Sequence, residues 1–424
     1  MPRNLTAFAF AALFSSALAA PAVPMHTWPM YQYRPDHNAV FAARFSASWS
    51  EHVAGNIVGG LSLVGSTLYM QSFDHRLYAL DPATGKVLWT FHTAHRVMTT
   101  PVVEGGVVVI GSGSNAALIS QPTKVAWGIL PPADAVYAVD AKTGKLLWEH
   151  VTVGEDMPTP AIVAGAIVFA NGHSAAQSFA VRTGQPLWRT PLEGVSTMAS
   201  AAAVGDTVYL VSGMGPVSSL PHPTYTYALD ARTGKILWKS PYGDADCSPT
   251  VGAGLVFVEG SRTLKAAPPP RNAVNTIYAL NAQSGQLVWK YRSGLGQITN
   301  QASNEEGVAG VYHLGVLYQS LPSTDQFVAL SAKTGRLLWT LRTEGPVKMS
   351  AVVDGGKVYF GDGTGVFYTV SAATGKVLAK AKFPLPFTPS SPLIVGQTLF
   401  VATGALKGSA GGTLYAMPLD HLQP

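Results

Sequence analysis

Short apolar stretches alternate with polar turns along this chain, and one such pattern returns seven times. It reads LYALDPATGKVLW at Leu77–Trp89, VYAVDAKTGKLLW at Val136–Trp148, TYALDARTGKILW at Thr226–Trp238, IYALNAQSGQLVW at Ile277–Trp289 and FVALSAKTGRLLW at Phe327–Trp339. Two copies are worn: SFAVRTGQPLW at Ser178–Trp188 is two residues shorter, and FYTVSAATGKVLA at Phe367–Ala379 lacks the Trp. The run before the turn and the run after it have the alternation of strands. Between them, Asp81-Pro82-Ala83-Thr84-Gly85-Lys86 is turn chemistry. Asp bonds backbone amides ahead of it, Pro presets φ, and Gly takes the left-handed position that closes a type I turn with a bulge. The glycine recurs as Gly144, Gly184, Gly234, Gly285, Gly335 and Gly375. Each copy predicts a hairpin.

A second strand pair precedes each hairpin, as in Leu61–Met70 and Ala351–Phe360. Four strands per repeat is the blade of a β-propeller, in which neighbouring blades cover the faces that one blade leaves bare. The Trp that ends the outer strand as read from the phrase (Trp89, Trp148, Trp188, Trp238, Trp289, Trp339) suits packing between blades. Trp49 lies forty residues before Trp89, the interval that also separates Trp148 from Trp188. Ala43–Trp49 therefore reads as an outer strand without a blade of its own. At the other end, Leu393–Val401 and Thr413–Met417 supply strands with no following TG turn. The expectation is an all-β, eight-bladed propeller closed by an N-terminal strand that completes the last blade, which leaves few open sheet edges.

Residues 1–19 read as a signal peptide, 20–42 as an N-terminal extension and 43–424 as the propeller. Arg3, the apolar Ala7–Leu18 and the small residues Ala17-Leu18-Ala19 give the basic, apolar and cleavage regions of an export signal, cut near Ala19. No later segment has transmembrane length. Cys247 is the sole cysteine, so there is no disulfide framework and no lipid-modified N-terminal Cys; it reads as a small buried filler. Charged residues are 12% of the chain and the net charge is +5, with no Lys/Arg run dense enough for nucleic acid. The 43 Gly and 30 Pro fit a turn-rich monomeric all-β ring.

The hairpin phrase A-x-x-x-T-G-K-x-x-W, with the opening Trp28-Pro29-Met30-Tyr31 and Arg34-Pro35-Asp36-His37, resembles the pyrroloquinoline-quinone-type propeller repeat. That superfamily includes quinoprotein alcohol dehydrogenases and the propeller component of the outer-membrane protein assembly machinery. The dehydrogenases carry a disulfide between adjacent cysteines, which one Cys cannot form, and no calcium shell of Glu, Asn and Asp is legible here. The assembly-factor branch is closer in size and repeat layout. Asp244-Ala245-Asp246-Cys247-Ser248-Pro249 resembles its D-x-D-x-[ST]-P segment, which implies partner-binding roles for Asp244 and Asp246, although Leu192-Glu193-Gly194-Val195 lacks the Arg of the accompanying loop.

Strand direction alternates across a blade, so all TG turns lie on one face, and the loops joining middle strands lie on the other. Gly111–Asp134, Gly213–Pro223, Gly260–Val274 and Thr403–Gly412 are the long members of the second set. Variable loops on a rigid scaffold are the usual seat of binding. Lys124 and Trp127 in the first, and Arg262, Lys265 and Arg271 in the third, are candidate partner contacts.

Inner strands line the axis and read Asn56–Gly59, Arg96–Thr99, Asp156–Thr159, Ser196–Met198, Asp246–Ser248, Gln297–Asn300, Val347–Ser350 and Phe387–Ser390. Arg96 and Lys348 with Asp156 are the candidate residues for an anionic quinone, the clustered Asp for Ca²⁺. His92 and His95 lack a third metal ligand, and no nucleophile–base pair is legible. The expectation is an exported scaffold that binds a protein partner in the cell envelope, with no catalytic residue, metal or cofactor. Its rival is a quinone-binding oxidoreductase or sensor that uses pyrroloquinoline quinone with calcium; a third reading is an envelope glycan binder.

Overall fold

The computed structural model describes residues 27, 29–113, 134–152, 156–172, 174–196, 198–213, 224–243, 246–263, 271–298, 308–404 and 411–422. The expected export signal lies outside them, as do Lys124, Trp127, Asp244 and Lys265. No helix among the described residues is long and apolar enough to cross a membrane.

The chain forms eight antiparallel sheets in a ring. Blade 1 runs Ser62–Val64, Thr67–Ser72, Arg76–Leu80 and Val87–His92, from the axis outward. The inner strands of blades 2 to 8 are Val102–Glu104, Ala161–Val163, Ala202–Val204, Thr250–Gly252, Val311–His313, Val352–Asp354 and Leu393–Val395. Blade 8 has the expected split origin: its outer strand is Trp49–Val53, paired antiparallel with Gly412–Pro418. Chain start and chain end thus share one sheet.

The hairpin forms as its residue types dictate. Asp81 Oδ1 accepts the N–H groups of Ala83 and Thr84 at 2.8 and 3.0 Å, and Gly85, at φ +74°, donates to Asp81 O at 2.9 Å. The ladder slips between Ala79 and Leu80, so Leu88 is the extra residue of a bulge, and the same slip occurs in all seven copies. In Asp140 and Asp230 the bond from the Thr hydroxyl of the same turn, followed by backbone N–H groups, holds the carboxyl below its usual range.

Each hairpin glycine then receives the indole of the preceding blade. A Cβ on Gly144 would lie 2.5 Å from Trp89, and one on Gly285 would lie 2.5 Å from Trp238. The indole N–H donates to a carbonyl in the same turn: Trp89 to Ala141 O at 3.2 Å, Trp148 to Val181 O at 2.8 Å, Trp188 to Ala231 O at 3.0 Å, Trp238 to Ala282 O at 3.0 Å. Trp289, Trp339 and Trp49 do the same to Ala332, Ala372 and Pro82. The one junction without a Trp follows blade 7, whose outer strand carries Ala379. There Leu419 and Leu422 of the terminal 3-10 turn pack with Phe383 and Tyr415, and Thr369 Oγ1 donates to Leu422 O at 3.0 Å.

One inner strand departs from the periodic reading. Gln297–Asn300 is not the axial strand of blade 6. Gly296–Ile298 instead pairs with Arg271–Ala273 of an extended blade 5 hairpin, and the axial strand begins at Val311. About ten additional residues follow Trp289 before the repeat resumes, which displaces the reading by that length. Arg262 and Arg271 consequently fall on strands, Leu255–Thr263 and Arg271–Asn281, rather than in a loop.

The segment before the ring is a strap across its axis. Pro29 O accepts from Ile162 N of blade 3, while Gln32 Nε2 donates to Ala351 O of blade 7, the blade diametrically opposite. The strap then follows the inner strands in order. Pro35 O, Asp36 O and Ala39 O accept from Val251, Tyr312 and Ile394 of blades 5, 6 and 8, and the Asn38 side chain exchanges two bonds with Val353 of blade 7. Val40–Phe41 finally pairs in parallel with Leu393–Val395. His37 is buried beneath it, its Nδ1 3.0 Å from Thr250 Oγ1.

Two predictions follow from these contacts. Trp238→Ala should lower stability by about 2–3 kcal/mol, and Gly285→Ala by about 1–3 kcal/mol. Since the first removes the ring that the second strikes, the double variant should be less destabilised than additive. Denaturant midpoints for the four proteins test this, and strict additivity would refute the interlock. Desolvation drives the pKa of His37 down from 6.5 to about 3, so the unfolded chain takes up a proton that the folded protein refuses. Its contribution is complete above the unfolded pKa and declines as pH falls from about 6.5 toward 3. His37→Gln should flatten that part of the pH–stability curve relative to wild type; parallel curves would overturn the assignment.

Candidate functional site

A single register relation organises the residues around the axis. Gly60 N donates to Thr100 Oγ1 at 2.7 Å, Thr100 N to Thr159 Oγ1 at 2.9 Å, Thr159 N to Ser200 Oγ at 3.2 Å, and Ser200 N to Ser248 Oγ at 2.8 Å. Small hydroxyl residues are needed there because the inner strands crowd the axis, and each hydroxyl satisfies an amide of the neighbouring blade. Two positions before each member of this ladder stand Val58, Met98, Met157, Met198 and Asp246; the equivalent of Ser350 in blade 7 is Lys348.

These side chains surround an axial cavity enclosing about 660 Å³, its open mouth included. Its walls differ. Blades 1 to 4 supply Val58 and the three thioethers of Met98, Met157 and Met198; blades 5 and 7 supply Asp246 and Lys348. Ser200, Ser248 and Ser350 add hydroxyls lower down. Lys348 is buried, at 5% exposure, while Asp246 is half-buried. A buried ammonium among hydroxyls and one carboxylate can hold an anion, and thioethers form a soft, polarisable wall.

Tyr31 of the strap also lines the cavity. Its hydroxyl is 2.8 Å from Ser350 Oγ, and burial pushes the phenol pKa up. The lining residues stand at the starts of the inner strands, whereas the strap bonds one to five residues further along. Among the described residues, the cavity thus faces the middle-strand loops, and the strap floors it on the TG side.

The sequence-predicted residues divide accordingly. Lys348 and Asp246 come together in the lining. Asp156 does not: it is buried beside the cavity, where its carboxylate accepts from Asn171 Nδ2 at 3.2 Å and from the Thr152 hydroxyl. Arg96 is exposed, with its guanidinium 5.3 Å from the centre of the Phe73 ring, and is not part of the lining. Cys247 is buried, taking the Glu259 N–H on sulfur at 3.2 Å. His75 and His92 are ring neighbours at 6.2 Å, and no group of three His, Cys, Asp or Glu among the described residues is placed to hold a metal ion. Sequence reasoning did not single out Tyr31 or the Met trio, although the Met residues share one place in the repeat.

Comparison with known proteins adds what geometry does not. The profile of the family described as outer membrane protein assembly factor BamB matches residues 42–127, 129–221, 222–346 and 273–418. The tetrathionate hydrolase of Acidithiobacillus ferrooxidans is 28% identical over 395 residues, 88% of this chain and 76% of that protein. The tetrathionate hydrolase of Acidianus ambivalens is 26% identical over 398 residues, 86% of this chain and 71% of its own. Among solved structures, a europium-containing methanol dehydrogenase superposes with TM-score 0.65 at 15% identity, covering 94% of this chain and 98% of that one, a likeness of fold alone. These relatives correct the expectation of a non-catalytic protein-binding scaffold, since two proteins matched over most of the chain bear the name of an enzyme. The TG hairpins behind that expectation encode blade packing, which scaffolds and enzymes of this fold share. With matches spanning the whole ring, the chain belongs to the family of eight-bladed propellers described as outer membrane protein assembly factor BamB.

Proposed function

We propose that this protein is a hydrolase of polythionates and that the axial cavity is its active site. The observation that carries the reading is the two-sided cavity, thioethers facing Lys348 and Asp246, in a chain that aligns over 88% of its length with a tetrathionate hydrolase. A polythionate is a chain of divalent sulfur with a sulfonate at each end. The Met98, Met157 and Met198 wall accommodates the sulfur chain, and Lys348 pairs with a sulfonate.

Asp246 supplies the proton transfers. Water adds to a divalent sulfur, and the adjoining S–S bond breaks with its electron pair going to the departing thiosulfate. The water hydroxyl stays on the sulfur of the remaining sulfonate fragment, and the water proton is released through Asp246. No oxidant is needed, because the electron pair of the broken bond leaves with thiosulfate.

Pyrroloquinoline quinone with calcium fits the cavity less well. Calcium takes six to eight oxygen ligands, whereas among the described residues the lining offers one carboxylate and one cation. No step is assigned to that cofactor. We place the protein in the cell envelope on the export-type sequence of residues 1–19 and on a family named for the outer membrane.

The test is loss of tetrathionate and appearance of thiosulfate with purified protein. Asp246→Asn should lower kcat by about 10²–10⁴-fold. Lys348→Ala should raise KM by about 10–100-fold, the loss of a charge-assisted bond worth about 1.5–3 kcal/mol. Wild-type protein that turns over no polythionate between pH 2 and 8, or saturable calcium-dependent quinone binding in the same cavity, would overturn the assignment.

A further inference from the structure

The strap makes the axial opening a blind pocket. It enters at blade 3 through Pro29 O and reaches blade 7 through the Gln32 side chain, so Pro29–Gln32 bridge the axial opening between the inner strands of opposite blades. Tyr31 is therefore on the axis, its hydroxyl bonded to Ser350, its ring meeting His37 edge-on at 5.1 Å. Positive φ at Gln32, Tyr33 and His37, at 49°, 68° and 58°, folds the strap back so that its next residues run along blades 5 to 8. Left-handed backbone at three non-glycine residues is costly, and it persists where surrounding contacts over-determine it. The Tyr33 N–H to Met30 O bond at 3.0 Å and the His37 N–H to Arg34 O bond at 3.0 Å close the turns on either side.

We propose that Tyr31 is the specificity-determining floor of this cavity and limits the length of the sulfur chain it admits. The proposal rests on the polythionate reading of the same site. Members of that substrate class share their sulfonate ends and differ by single sulfurs, each extending the chain by no more than about 2 Å, the S–S bond length. Side walls cannot discriminate among such ligands; only the distance from mouth to floor can. With Lys348 and Asp246 on the wall above a phenol ring at the base, a chain that is too long cannot bring both a sulfonate to Lys348 and an S–S bond to Asp246.

The experiment measures kcat/KM for tri-, tetra-, penta- and hexathionate in wild type, Tyr31→Ala, Tyr31→Leu and Tyr31→Phe. Shortening the side chain should raise the penta- to tetrathionate ratio by about tenfold or more in Tyr31→Ala, the discrimination expected from a small change in an apolar pocket. Tyr31→Leu, which keeps buried apolar bulk on the strap, should move the same way. Tyr31→Phe retains the ring and should keep the wild-type ratio. A readout independent of turnover is the depth of the cavity in crystal structures of wild type, Tyr31→Ala and Tyr31→Phe: loss of the floor should extend the cavity toward the TG side in Tyr31→Ala and leave Tyr31→Phe like wild type. If wild type cleaves no polythionate, the substrate reading fails while these structures still decide whether Tyr31 is the floor. Unchanged chain-length ratios in both Tyr31→Ala and Tyr31→Leu, or a cavity no deeper in Tyr31→Ala, would refute the proposal.

Discussion

The contact between an indole and a left-handed glycine of the next blade is the constraint on which this ring depends. It recurs from Trp49–Gly85 to Trp339–Gly375, each time with the indole N–H on a carbonyl of the same turn. One glycine thus has two duties, closing its own hairpin at positive φ and leaving room for the neighbour's ring. Any other residue would fail at both, being strained in backbone and in collision with the indole. The blade 7 to 8 junction shows what the contact does by lacking it: Ala379 leaves the place empty of an indole, and the chain ends by packing Leu419 and Leu422 there.

Rigid, periodic outer contacts hold the inner strands at fixed register, and the chemistry is written in the departures from that period. The hydroxyl ladder of Thr100, Thr159, Ser200 and Ser248 is repetitive because each rung satisfies the preceding blade's amide. Two residues earlier nothing structural is required. Val58, Met98, Met157, Met198, Asp246 and Lys348 occupy that position, and their inequality turns an eightfold scaffold into a pocket with a soft side and a charged side.

The architecture was legible because hairpin, glycine socket and Trp all lie within one thirteen-residue phrase. The forty-residue interval to Trp49 made the ring closure legible too. The blade 6 strand was misread because extra residues after Trp289 broke the spacing without leaving a mark in composition. At the axis, charge alone was a poor guide. Asp156 adjoins Met157 just before the inner strand of blade 3, yet the two side chains part, the carboxylate buried with Asn171 and the thioether meeting the cavity. Arg96, two residues before Met98, lies on the rim beside Phe73. The likeness to proteins named as enzymes was illegible for a different reason: the repeat records how blades pack, and no residue of the phrase reaches the cavity.

The strap belongs to no repeat, so its role had to come from where its backbone bonds fall. A propeller axis without a strap is a tunnel, in which a ligand meets water at both ends. Among the described residues, crossing from blade 3 to blade 7 closes one end of this tunnel. Water is more restricted at the base, where Tyr31 is half-buried and Ser350 buried, than at the level of Asp246, which is half-exposed. The proposed hydrolysis would need that asymmetry: a water molecule must reach the bond under attack, while a lysine holding an anion gains strength from a drier setting. The sequence spends seven repeats on a symmetric wall and one irregular segment on giving it an inside.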